Sequence, residues 1–106
     1  VDSFQGPPVF DLALLGLGED GHTASLFPGD AILAAREALA LPSLAPSEPR
    51  RRMSLTLGSL RASRAIVFFV RGPDKKAIVE ALAREDPSLP ASALAGAQTR
   101  ILYCRL

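Results

Sequence analysis

Residues 10–15, FDLALL, form a nearly continuous apolar run that stops at a glycine-rich turn, GLGEDG. A run of this length bounded by glycine is typical of a strand buried on both faces of a parallel sheet. A second run of this kind, AIVFFV, occupies residues 65–70, and segments that permit helix lie between and after the two. This order of elements predicts an α/β domain with a largely parallel sheet.

Weaker patterns predict the other elements. The expected strands and helices, in chain order, are a short helix at 22–27, an Ala-rich helix at 31–41, a strand at 53–57, a helix at 58–64, a helix from Pro73 to 84, a short helix from Leu89 and a strand at 101–106. Three prolines, at 42, 46 and 49, indicate a loop. About four strands are few for a sheet of this kind. We therefore expect residues 1–106 to be the C-terminal part of a single larger domain, or to need a partner that completes the sheet.

Net charge, the lengths of the apolar stretches and the cysteine content argue against several classes of protein. Twelve basic and eleven acidic residues give a net charge of +1, which argues against a nucleic-acid binder. No apolar stretch approaches the roughly 20 residues of a membrane span, and the N-terminus lacks the pattern of a signal peptide. The single cysteine, Cys104, cannot form an internal disulfide and is expected to be a buried, inert thiol. These features favour a cytoplasmic protein without membrane or nucleic-acid partners.

The glycines of the first turn have the spacing G-x-G-x-x-G, which is the dinucleotide-binding fingerprint when it joins a strand to a helix. Such a site needs a long helix after the third glycine and an acidic residue at the end of a second strand, roughly 20 positions on. Here Pro28 and Gly29 end any helix early, and Glu37 lies in an Ala-rich segment instead of at a strand end. The nucleotide interpretation is therefore rejected.

A longer stretch that contains these glycines is a more specific indicator of a protein family. FDLALLGLGEDGHTASLFPG resembles the 6-phosphogluconolactonases, which share a strand ending in G-[ML]-G-x-D-G-H-T-A-S-L-F-P. Residues 49–64, PRRRMSLTLGSLRASR, resemble a second motif of that family, although Gly58 and Arg61 replace its usual Pro and Asn. The GPDK of residues 72–75 and the LPAS of residues 89–92 resemble two shorter motifs. The match covers residues 10 to about 103 and corresponds to the C-terminal half of the family's sequence.

The resemblance implies the Rossmann-like fold shared by lactonases, glucosamine-6-phosphate deaminases and ribose-5-phosphate isomerases. It also implies hydrolysis of 6-phosphogluconolactone to 6-phosphogluconate, in the oxidative branch of the pentose phosphate pathway. By this resemblance His22, the only histidine, is the general base that activates water. The local sequence alone favours a histidine that only caps a short helix, and the resemblance reverses this preference.

Other candidate site residues surround His22. Asp20 either orients the catalytic histidine or is an ordinary turn residue, and the sequence does not decide between these. The expected substrate-binding residues near it are Gly16, Gly18, Gly21 and Thr23, the threonine having helix capping as its alternative. The resemblance assigns the substrate's phosphate to Arg52 and Lys75, although a solvated basic face would explain both. No metal site and no cofactor are expected, because lactone hydrolysis requires neither.

The expected partners are a phosphorylated sugar lactone and either an N-terminal half of the same domain or a second copy of the chain. Two other functions stay open. A sugar-phosphate deaminase or isomerase of the same fold carries a similar turn, but such deaminases place a Glu five residues after the histidine, where this chain has Phe27. A catalytically silent fragment that only binds sugar phosphate is the other alternative.

Overall fold

A computed structural model of the protein describes residues 8–35 and 37–105. Five strands follow one another in the order β1 (Leu12–Leu15), β2 (Ala40–Leu44), β3 (Arg51–Leu55), β4 (Ala65–Arg71) and β5 (Thr99–Cys104). Strands β1, β4 and β5 form a parallel sheet with β4 in the centre, whereas β2 and β3 form a separate antiparallel pair. The predicted α/β fold with a parallel sheet is confirmed, with five strands instead of about four.

The helical segments that follow β3 begin close to their predicted positions. Helix α1 (Leu57–Arg61) is capped by the buried Thr56, whose hydroxyl oxygen accepts a hydrogen bond of 3.2 Å from the Ser59 amide. Pro73 opens a short 3₁₀ turn that leads into helix α2 (Lys76–Ala83), as a proline in the first turn predicts. Another 3₁₀ segment, Pro90–Leu94, precedes β5. No helix in the described part of the chain is long and apolar enough to cross a membrane.

The Ala-rich helix predicted for residues 31–41 is wrong. Only Ala31–Ala34 forms a 3₁₀ turn, and Ala40 already begins β2, which continues through the Pro42 that had been expected in a loop. Pairing with β3 overrides the local preference for helix, because each residue of β2 gains a partner across the hairpin. Asp30 joins the two segments, since its carboxylate accepts hydrogen bonds from the amides of Ile32 and Leu44.

One face of the parallel sheet is covered and the other is exposed. The covered face carries Ile66 and Phe68, which are fully buried against residues of α1, α2 and the 3₁₀ segment before β5. Successive side chains alternate between the faces, so every second residue of β5 points away from this core. Cys104 lies on the uncovered face and is exposed, and the expectation of a buried thiol is wrong.

The uncovered face is apolar. Leu14 is 64% exposed, and three more large apolar side chains on this face are more than half exposed: Leu12, Phe69 and Leu102. Parallel sheets are normally covered on both faces. A contiguous apolar surface of this kind favours association.

We expect the 106-residue polypeptide by itself to self-associate through this face, and Leu14→Lys to shift it towards monomer in analytical ultracentrifugation. The matched control is Leu44→Lys, which places the same charge on an equally exposed leucine of the separate hairpin and should leave the association unchanged. A wild-type polypeptide that sediments as a single monomeric species and unfolds cooperatively contradicts this prediction.

Candidate active site

The turn after β1 positions the candidate site. Residues 22–27 were predicted to be helical, but they form a tight turn closed by an isolated bridge between Thr23 and Leu26. Ala24 has φ of 52°, which a right-handed helix does not permit. The buried Thr23 hydroxyl donates a hydrogen bond of 2.8 Å to the Gly16 carbonyl, so this side chain binds the turn back onto the end of β1. A hydroxyl bonded to nearby backbone competes with helix formation in this way.

Gly18 lies directly beneath the His22 ring. A Cβ atom at this position would lie 2.1 Å from both Cε1 and Nδ1 of the imidazole, a distance that no real contact permits. The Gly18 amide also donates to the His22 carbonyl, at 2.9 Å. The glycine therefore allows the ring to lie against the backbone of its own turn.

Asp20 holds the imidazole from the other side. Its Oδ1 lies 2.5 Å from His22 Nδ1 and also accepts a hydrogen bond of 3.1 Å from the His22 amide. A carboxylate only accepts hydrogen bonds, so in the neutral ring this contact places the proton on Nδ1 and leaves Nε2 as the basic nitrogen. The described residues place no hydrogen-bond partner on Nε2. This is the arrangement that a general base requires.

The Asp20 carboxyl stays ionised in neutral solution. Burial raises the pKa of this carboxyl, but the side-chain and backbone hydrogen bonds from His22 and the attraction of the imidazole outweigh burial, so the pKa lies below its usual 3.8. Because the pKa is lowered, the stabilising contact is present above that usual value and is lost as the pH falls through the lowered one. Asp20 can therefore stabilise an imidazolium throughout the pH range in which a histidine acts as a base.

A cavity of about 340 Å³ connects His22 with a lysine. Its walls are formed by Gly16, Leu17, Gly18, His22, Thr23, Ala24 and Lys75. The Lys75 ammonium donates one hydrogen bond, of 2.8 Å, to the Leu17 carbonyl, which leaves donors for a ligand. The volume of this cavity is near the lower end of the range for small-molecule sites, and a cation lies next to a base. Both features suit a small anionic substrate.

Three of the predicted site residues do not line this cavity: Asp20, which bonds His22, and Gly21 and Arg52. The Gly21 amide donates to Gly18, the Gly21 carbonyl accepts from Ala91, and its φ of 86° suits glycine. Arg52 donates from Nε to the Pro49 carbonyl, and its guanidinium carbon lies 5.4 Å from the centre of the Phe27 ring. The Gly18 and Gly21 amides are thus already bonded within the protein, and the substrate-binding roles of Gly21 and Arg52 stay predictions.

Phe27 is a site residue that the sequence analysis missed. Its buried ring lies with its centre 4.6 Å from the centre of the His22 imidazole, at an interplanar angle of 34°. Phe27 and Asp20 also line a neighbouring cavity of about 700 Å³. The sequence shows only an apolar residue before a proline here, so contact with the imidazole could not be read from it. Among residues 8–35 and 37–105, no group of three or more His, Cys, Asp or Glu side chains is placed to hold a metal ion.

Comparison with known proteins identifies the family of this chain. The family model for "Glucosamine-6-phosphate isomerases/6-phosphogluconolactonase" matches residues 1–103. The chain belongs to this family. Over 94 residues it is 43% identical to the 6-phosphogluconolactonase of Rattus norvegicus, a match that covers 85% of this chain and 37% of the relative.

Solved structures of the family agree with the fold. A crystal structure described as devB protein matches with a TM-score of 0.80 at 36% identity, covering 96% of this chain and 44% of the other. The 6-phosphogluconolactonase of Trypanosoma brucei matches with a TM-score of 0.77 at 29% identity, covering 92% and 40%. The chain thus spans about two-fifths of the length of the relatives that it matches. The resemblance inferred from the sequence motifs is confirmed.

Proposed function

We propose that the polypeptide containing these residues hydrolyses 6-phosphogluconolactone to 6-phosphogluconate, with His22 as the general base. The observation that carries this proposal is the His22–Asp20 pair, which leaves Nε2 of the imidazole unbonded within the described residues. The ring lines a cavity that also contains the Lys75 ammonium. The names of the relatives support the substrate, since they are called 6-phosphogluconolactonases.

The proposed reaction begins when Nε2 of His22 takes a proton from water as the water oxygen attacks the lactone carbonyl carbon. The carbonyl becomes a tetrahedral oxyanion, and Asp20 stabilises the imidazolium through Nδ1. When the oxyanion collapses, the bond between the carbonyl carbon and the ring oxygen breaks. The ring oxygen takes the proton back from Nε2 and becomes a hydroxyl. The product is the open-chain acid, which ionises in neutral solution, and His22 returns to its starting state.

Lys75 is the cation best placed for the substrate's phosphate. It shares the cavity with His22, and the hydrogen bond to the Leu17 carbonyl fixes its ammonium there. Arg52 lies next to Phe27, which itself contacts His22, so a phosphate that reaches from the cavity towards β3 would meet a second cation. Charge-assisted hydrogen bonds of this kind are short and strong.

We expect Lys75→Ala and Arg52→Ala each to raise KM for the phosphorylated lactone, by roughly 10-fold to 100-fold, because a hydrogen bond to a charged group is worth about 1.5–3 kcal/mol. The value of kcat should change little if the contact is equally strong in the ground and transition states. Lys76→Ala is the matched control, since this neighbouring lysine is exposed and faces Glu80 at 3.9 Å. A KM unchanged in both variants removes these residues from the phosphate site.

The residue five positions beyond His22 favours a lactonase over a deaminase. This residue is Phe27, whose buried ring packs on the imidazole, so no carboxylate occupies the position at which the deaminases carry their Glu. Release of ammonia from glucosamine-6-phosphate would instead support the deaminase. Binding of sugar phosphate without turnover of either compound would support the catalytically silent alternative.

A further inference from the structure

We propose that Phe27 is a positioning residue that holds the His22 imidazole in the orientation required for catalysis. This inference rests on the proposed function of His22, but it can fail while that function stands. Phe27 is 5% exposed, whereas a third of the His22 side chain is exposed. The fixed side chain of the pair is therefore the phenylalanine, and the imidazole is the side chain that needs support.

The imidazole is held by three contacts. Gly18 lies against the ring, Asp20 bonds Nδ1, and the centre of the Phe27 ring lies 4.6 Å from the centre of the imidazole. The bond to Asp20 fixes one ring atom, but the side-chain torsions of His22 still allow some rotation of the ring while that bond is kept. A tilted aromatic contact restricts this rotation, because aromatic pairs have preferred geometries. Phe27 is thus the contact that sets the direction of Nε2.

Three charged groups lie around the imidazole and the Phe27 ring. Asp20 faces it from its own turn, Lys75 shares its cavity from the segment before α2, and Arg52 reaches the Phe27 ring from β3. Arg52 is itself fixed by its hydrogen bond to the Pro49 carbonyl as well as by the ring. Loss of the Phe27 ring should therefore affect the imidazole more than the arginine. This predicts an effect on kcat and not on KM.

The test uses Phe27→Leu in the natural polypeptide that carries these residues. We expect kcat to fall about threefold to tenfold, the range that the loss of an aromatic pair represents, with KM within about twofold of the wild type. Phe27→Tyr, which keeps the ring, should restore kcat. Phe68→Leu is the matched control, because Phe68 is fully buried in β4 and does not line the His22 cavity. It should lower the melting temperature and leave kcat unchanged.

A second measurement requires no substrate. Nitrogen-15 NMR reports the tautomer of the His22 ring, whose signals are identified as those that disappear in His22→Asn. The bond to Asp20 should keep the proton of the neutral ring on Nδ1 in every variant. We expect narrow ring signals in the wild type and in Phe27→Tyr, and exchange-broadened signals in Phe27→Leu, in which the aromatic contact no longer restricts the ring. If Phe27→Leu does not fold, the measurement uses Phe27→Met instead, because methionine fills the space without a ring. A folded variant without the ring that keeps the wild-type line widths of the imidazole signals and the wild-type kcat overturns the proposal, even if His22→Asn abolishes activity.

Discussion

His22→Asn is expected to lower kcat for lactone hydrolysis by roughly 10²-fold to 10⁴-fold, the usual contribution of a general base. Asparagine can still donate a hydrogen bond to Asp20, but its amide has no basic nitrogen. The fold should persist because the turn is held by the Thr23 hydroxyl and the glycine backbone, not by the imidazole. The wild-type rate should also fall as the pH becomes low enough to protonate the imidazole, and the variant should not show this fall.

The measurement is kcat after subtraction of spontaneous lactone hydrolysis, which is appreciable for a δ-lactone. Ser25→Ala is the control in the same turn, because the Ser25 backbone amide, and not its hydroxyl, bonds Ser54. This control should keep the wild-type kcat. A folded His22→Asn variant with full kcat would remove the general-base role and leave His22 as a structural residue.

Gly18→Ala should reduce kcat about as strongly, by on the order of 10²-fold, which is the effect of displacing a catalytic group by about 1 Å. The new methyl group would occupy the place of the imidazole, 2.1 Å from Cε1 and Nδ1, so the ring must leave Asp20. The ring is partly exposed and can turn towards solvent. We therefore expect only a small change in melting temperature.

The control for this substitution is Gly96→Ala. Gly96 is exposed, and the nearest obstacle to a Cβ atom is the end of the flexible Gln98 side chain. This variant should keep both kcat and the melting temperature. If Gly18→Ala also keeps the wild-type kcat, the position of the imidazole over Gly18 is not needed for catalysis.

The parallel strands were predictable because their buried character is encoded locally. The apolar run at residues 65–70 became β4, and the run at 10–15 became β1 with slightly narrower bounds. The hairpin was missed because β2 follows an Ala-rich segment and contains Pro42, and its strand character depends on pairing with Met53 and the rest of β3. Pairing between distant segments is not visible in local propensity.

The candidate site also has features that the local sequence encodes and features that depend on how the chain folds. The motif predicted Asp20 and His22 as the catalytic residues, and the structure brings their side chains into contact. Gly16, Gly18, Thr23 and Lys75 line the same cavity as His22, and their substrate-binding roles stay predictions. The predicted short helix at 22–27 was wrong because Thr23 bonds the Gly16 carbonyl, a contact seven residues back in the chain. The packing of Phe27 on the imidazole depends on how that turn folds, and an apolar residue alone does not reveal it.

The most direct test of the proposed function is the hydrolysis of 6-phosphogluconolactone by the natural polypeptide that carries these residues. Each turnover releases one proton, so a pH-stat measures the rate against the spontaneous background. We predict enzyme-dependent proton release that saturates with the phosphorylated lactone, with no ammonia released from glucosamine-6-phosphate. A rate equal to the spontaneous background, from a folded protein that binds sugar phosphate, would contradict the assignment of this turn to a lactonase active site.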